Sequence, residues 1–400
     1  MMAPFKRLFG EGFRVFFLAA GLYGVFAVLV WTGWLGIHAA GGTLRAVPFA
    51  MAPHLWHAHE MVFGFPAAAL GGFFLTAVPN WTGARAVRHL FIATAAGLWL
   101  AGRLAIWYSG ALAPAVVAAV DLAFLPVLGA KIATQLLRSP KPQNLMFLAL
   151  LALIWTGNLL VHLEWTGLAA DTLDAGLRVG LAGTCAMIAV LGGRVTPAFT
   201  RNAMVRSGRE NGLPVSRKGV EIVGVASAII LPIAYLAGLA DSVIGALALV
   251  AGLAQLVRLA GWRPAWTARQ PILWSLHIAF ALLGLGYLLT GLAAFGVGSA
   301  VGALHVLGIG SVGGMTLAVM SRASLGHSGR ALVAPVPVAV AYALVPLATG
   351  LRWLASEISG AWYWPGVFGS GLLWTLAFAL FTAALWPAFW RPRVSGVAAN

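Results

Sequence analysis

The feature that most constrains this chain is a succession of apolar runs, each long enough to cross a bilayer. A helix needs about 20 apolar residues to span the hydrocarbon core. Twelve runs qualify, at 13–36, 57–79, 88–108, 111–136, 143–163, 176–194, 219–238, 242–260, 271–292, 297–321, 332–354 and 362–389. The chain therefore reads as all-α, a polytopic membrane helix bundle forming one integral membrane domain over residues 1–400. Composition supports this. Hydrophobic residues make up 61% and charged residues 9%, against about 25% charged in an ordinary soluble domain. A soluble enzyme, a disordered chain and a disulfide scaffold are excluded. The single cysteine, Cys185, leaves no disulfide and no CxxC motif. No signal-peptide pattern is visible at the N-terminus, so the first apolar run is expected to stay as a helix.

The net charge of +15 would suggest nucleic acid in a soluble protein. Here it reads as a topology signal, because basic residues concentrate in cytoplasmic loops. With the N-terminus placed in the cytoplasm, 21 of the 25 Lys and Arg fall in cytoplasmic segments, and the exceptions are Arg45, Arg103, Arg178 and Arg352. A wrong helix count would scramble that bias. The expectation is a multi-pass protein of the bacterial inner (plasma) membrane, surrounded by lipid, with both termini cytoplasmic. Its longest loop, about 195–218, is then basic and cytoplasmic.

Glycine pairs stand near the inner ends of runs 2, 6 and 10, at Gly71-Gly72, Gly192-Gly193 and Gly313-Gly314. Successive pairs are 121 residues apart, and each is followed by a threonine, Thr76, Thr196 and Thr316. This spacing suggests three four-helix units, about 13–136, 143–260 and 271–389. Glycine pairs also occur simply because they let membrane helices pack closely.

Ionisable residues inside a bilayer are costly and usually functional. His57, His59, His162, His277 and His305 lie in or at the ends of spans, and His327 lies just past run 10. Histidine is the commonest nitrogen ligand for transition metals. In Trp56-His57-Ala58-His59-Glu60-Met61, His57 shares a helical face with Glu60 and Met61, whereas His59 points elsewhere. Either the helix starts after His57 or the two imidazoles serve different surroundings. By depth, His305 belongs with His57 and His59 in the outer half and His277 with the inner half, while His162 reads as interfacial. Glu60 suits a metal ligand or proton carrier, and Asp121 in mid-span suits a proton carrier; either acid could instead pair with Arg103 or Arg178. Arg194, Arg322 and Arg330 sit among small hydroxyl residues near the inner side, a chemistry that suits anions such as haem propionates. The same arginines also fit the ordinary positive-inside pattern.

The strings Trp56-His57-Ala58-His59-Glu60-Met61-Val62-Phe63-Gly64-Phe65, Gly72-Phe73-Phe74-Leu75-Thr76-Ala77-Val78-Pro79-Asn80-Trp81-Thr82-Gly83, Gly102-Arg103, Gly193-Arg194-Val195-Thr196-Pro197-Ala198-Phe199-Thr200-Arg201-Asn202 and Gly314-Met315-Thr316-Leu317-Ala318-Val319-Met320-Ser321-Arg322 resemble the NnrS family. The resemblance runs from about 55 to 330. It implies a membrane protein containing haem (haem b) and copper and linked to nitric oxide metabolism or tolerance. Carried onto this chain, it implies metal ligands among His57, His59, His277, His305 and His327. Haem contacts would come from His277, His305, Arg194, Arg322 and Arg330, and catalytic work would fall to Glu60. Three readings stay open: a metalloenzyme consuming nitric oxide with an unidentified electron donor, a non-catalytic haem-based nitric oxide binder, and a transporter of metal or small molecules. No nucleic-acid partner is expected.

Overall fold

The computed structural model describes residues 2–44, 47–138, 140–358 and 360–394. Arg45, expected on the outer side, lies outside the described residues. Twelve helices are long and apolar enough to cross a membrane, and no strand occurs among the described residues. They are Gly12–Ala39, Pro53–Thr82, Leu90–Trp107, Pro114–Leu136, Pro142–Trp165, Leu173–Arg206, Lys218–Leu236, Asp241–Ala260, Pro271–Ala294, Ala300–His327, Val336–Glu357 and Tyr363–Trp390, numbered below as spans 1 to 12. A short helix, Met2–Leu8, precedes them. Proline stands at or next to the first position of spans 2, 4, 5, 9 and 11, where its missing N–H leaves no intrahelical bond unmade.

The expected boundaries hold to within a few residues except at the ends of spans 6 and 10. Span 6 continues through Pro197 to Arg206, twelve residues beyond the expected end at 194. Polar residues after Gly193 lower the hydropathy but do not stop a helix, so Thr196 and Arg201 are helical, not loop, residues. His327 likewise closes span 10, not a following loop.

Three spans are interrupted. Span 2 is α-helical over Pro53–His59, widens to a π-turn over Glu60–Gly64 and resumes as α-helix at Phe65. Span 10 carries a longer π-segment over Val306–Gly313. Span 4 breaks between Asp121 and Phe124. Such π-turns cost hydrogen-bond geometry and concentrate at functional sites.

The chain divides into two compact units. The first comprises residues 1–180, 322–332 and 381–400. In it, the ring of Phe17 in span 1 fills the space beside Gly72 of span 2, and Gly157 of span 5 lies against the backbone of Gly176 and Gly180. The second comprises residues 181–321 and 333–380. There, Gly252 of span 8 meets the carbonyl of Gly284 in span 9, and Gly245 and Gly291 repeat the contact farther along. Small residues at such crossings let helices approach closely enough for dispersion to hold them.

A buried ionic centre in the first unit

The π-turn of span 2 and the break in span 4 bring two carboxylates to one guanidinium. Arg103 of span 3 donates through one terminal nitrogen to Glu60 Oε1 at 2.5 Å and through the other to Asp121 Oδ1. All three side chains are almost wholly buried. Two glycines make the convergence possible. A Cβ on Gly64 would collide with the Arg103 and Glu60 heads, and one on Gly102 would meet Asp121. The glycine of Gly102-Arg103 and the one closing the π-turn thus stand where the ionic groups need room.

The centre then extends through imidazoles. His59 Nδ1 lies 2.8 Å from Glu60 Oε1, and its Nε2 lies 2.8 Å from Asn158 Oδ1 and 3.4 Å from Asp121 Oδ2. His162 Nε2 lies 2.9 Å from the same Asp121 oxygen, which also accepts from Asn158 Nδ2 at 2.8 Å. The Tyr23 hydroxyl of span 1 donates to Glu60 Oε2. Trp165 covers both imidazoles, with ring centroids 5.1 Å from His59 and 5.4 Å from His162. On the same end of the unit, Phe49, Trp56 and Trp107 form an aromatic cluster packed with Ala105, Ile106 and Val117. The loop carrying Phe49 is pinned there by Gly110 N–H to Pro48 O and Ala50 N–H to Ser109 Oγ.

His59, Asp121 and His162 each offer one ligand atom, and these atoms lie within 4.8 Å of one another. Two imidazoles and a carboxylate form a donor set suited to a transition-metal ion. Glu60 stands behind His59, on Nδ1, where hydrogen-bond partners orient metal ligands, and Asn158 contacts the His59 Nε2 and Asp121 Oδ2 ligand atoms themselves.

The other residues expected from the sequence are placed apart from this cluster. His57 turns away from His59 and stacks on Trp31 at 4.7 Å, and the stack continues through Trp34 to His38. In the second unit, His277 Nδ1 lies 3.1 Å from Leu273 O, and its Nε2 lies 3.3 Å from Trp262 O and 3.5 Å from Thr200 Oγ1. His305 Nδ1 donates to Val301 O at 2.7 Å. Arg194 is half-buried. In the first unit, His327 packs against Phe13, and Arg322 is buried. Arg330 donates to Pro387 O at 3.0 Å, and Arg14 and Arg7 bond the neighbouring carbonyls of Ala388 and Trp390. Three arginines thus satisfy the open carbonyls ending span 12, as cations do at helix C-termini.

His162, near the end of span 5 as expected, belongs to the buried centre: it is 2% exposed and bonded to Asp121. Tyr23 and Asn158 were not legible as site residues at all. Asn158 lies one helical turn before His162, and that i, i+4 pairing of polar residues in an apolar run was the available signal.

No curated protein matches the sequence. The family described as NnrS protein matches residues 7–393, nearly the whole chain. The chain belongs to the NnrS family.

Proposed function

We propose that this protein is a metal-containing membrane protein of nitric oxide metabolism, with a metal ion bound by His59, Asp121 and His162. The observation that carries the reading is the convergence of two imidazoles and a carboxylate from spans 2, 4 and 5 at a buried point. Buried ions cost several kcal/mol each unless paired, and a fold keeps such a group where it has work to do. The family resemblance supplies copper, haem and nitric oxide to the reading, and the donor set fits a copper ion. The charge pattern supports an inner-membrane location with cytoplasmic termini, which puts the centre toward the outer side.

His305 fits haem ligation better than His277. Donation from Nδ1 to the Val301 carbonyl leaves Nε2 as the lone-pair nitrogen, the arrangement of a metal-ligating imidazole. Val301 also lines an open cavity of about 570 Å³, together with Arg352, Ser356, Tyr363 and Trp364. His277 has carbonyl oxygens against both ring nitrogens. When bound, haem would supply a redox-active site for a diatomic ligand.

The residues of the centre have separable roles. Glu60 receives His59 Nδ1 and fixes the ring, leaving Nε2 for the metal. Asp121 is shared between ligation and its pair with Arg103. The aromatic cluster and Trp165 exclude water, which strengthens electrostatic contacts inside. Glu60, beside the ligand set, would carry a proton toward a bound ligand, with electrons coming from a separate donor.

The test is nitric oxide uptake by purified, reduced protein, followed with an electrode. The expected result is consumption well above that of free haem at equal concentration, lost in Asp121→Asn. Uptake no faster than free haem counts against a catalytic role, and stoichiometric binding without turnover would favour the non-catalytic binder.

A further inference from the structure

The charges around the centre can be counted, and the count says more than the donor set does. Glu60 and Asp121 supply two negative charges and Arg103 supplies one positive charge. The other contacting polar groups, Tyr23 and Asn158, are neutral, and imidazoles bind metals in their neutral form. The frame therefore carries a net charge of −1 in a place closed to water.

The hydrogen bonds point to the same missing charge. His59 faces an oxygen acceptor from each ring nitrogen: Glu60 Oε1 at Nδ1, and Asn158 Oδ1 with Asp121 Oδ2 at Nε2. A neutral imidazole has one N–H, so whichever nitrogen carries it, the other lone pair confronts oxygen. Rotating the Asn158 amide gives no relief, because its nitrogen is needed by Asp121 Oδ2. One unit of positive charge at His59 removes the conflict, either a second proton, so that the ring donates to both acceptors, or a metal ion at the Nε2 lone pair with Nδ1–H given to Glu60.

We propose that Arg103 tunes this centre to a univalent metal ion, so that it holds Cu(I) in preference to a divalent ion. A single positive charge brings the buried frame to neutrality. A divalent ion leaves a net +1 among buried side chains, a costly state in a low-dielectric interior. Among univalent metal ions, sodium and potassium prefer oxygen, whereas Cu(I) accepts imidazole. Arg103 acts here as a positioning and charge-setting residue and does not touch the metal.

The inference rests on the reading that the centre binds metal, and it is tested by changing the charge count while leaving His59, Asp121 and His162 in place. The full chain in detergent is stripped with a chelator. It is then titrated anaerobically with Cu(I) and separately with Zn(II), each against a competing chromophoric chelator. Arg103→Gln takes the frame to −2, Glu60→Gln to 0, and the double variant back to −1. In Arg103→Gln, the ratio of Cu(I) to Zn(II) affinity is expected to fall on the order of a hundredfold. In Glu60→Gln, Cu(I) itself is expected to weaken. In the double variant, which retains an acceptor for His59 Nδ1 and leaves no lone buried partner of Arg103 at position 60, the ratio returns near the wild-type value. Melting temperature and a monodisperse elution profile report folding of each variant. A ratio unchanged by Arg103→Gln, or a double variant that keeps the ratio of Arg103→Gln, overturns the inference while leaving the metal site intact. Stripped wild-type protein that binds neither ion overturns the metal reading itself.

Discussion

Arg103 and His59 in the first unit and Arg258 and His277 in the second are buried within their spans and are neutralised differently. In the first, Arg103 faces two carboxylates and His59 and His162 face Asp121. In the second, Arg258 of span 8 donates to Ala189 O at 2.9 Å and Gln255 Oε1 at 2.6 Å, and its head fills the space beside Gly193. Its nearest carboxylate, Glu221, lies 3.9 Å away and is well exposed. His277 there meets only carbonyls and a hydroxyl. Dipoles satisfy a cation without supplying a countercharge, so the second arrangement ties helices together. Full charges leave a residue of charge, which the proposed ion at the first arrangement would offset.

The comparison can be broken by removing each arginine. Arg103→Ala leaves two buried carboxylates facing one another and is expected to destabilise by about 3–5 kcal/mol, read as the largest fall in melting temperature in a common detergent. Arg258→Ala removes charge-assisted bonds to neutral partners and is expected to cost about 1.5–3 kcal/mol. An equal loss in both would show that the countercharges add nothing to the first unit. Gly64→Ala sharpens the point further. The added methyl displaces the Arg103 head from Glu60, so metal content should fall several-fold with a smaller loss of stability. His277→Ala is expected to leave the metal at the first centre unchanged, which metal analysis of the purified variant checks. The smallest effect belongs to Trp34→Ala, which opens the stack from His57 to His38. Such ring pairs are worth about 0.5–1.5 kcal/mol, and metal content should not change.

Much of the fold was legible because hydropathy and charge report on the membrane directly. Twelve runs and their basic loops placed all twelve helices. The same measure misjudged span 6, since hydropathy follows the bilayer whereas the helix continues through Arg194, Thr196 and Pro197. At the centre, local sequence separated His57 from His59 by helical phase, and it named Glu60, Asp121 and Arg103 as candidates. It could not join them to His162 and Asn158, because those meetings depend on how spans 2, 3, 4 and 5 pack. The π-turn at Glu60–Gly64 left no pattern of its own beyond Gly64. That turn re-aims Glu60, so the residue with the clearest motif acquired its partners from geometry that the motif does not encode.

The central claim is that imidazoles from two separate spans hold one ion with Asp121, and His162 is its sharpest probe. X-ray absorption at the metal edge of the purified protein, with metal analysis of the same sample, measures this directly. Wild-type protein is expected to show a non-haem metal with imidazole scattering, lost in His162→Ala while haem content stays the same. A His162→Ala protein that retains the metal with an unchanged spectrum would contradict the account.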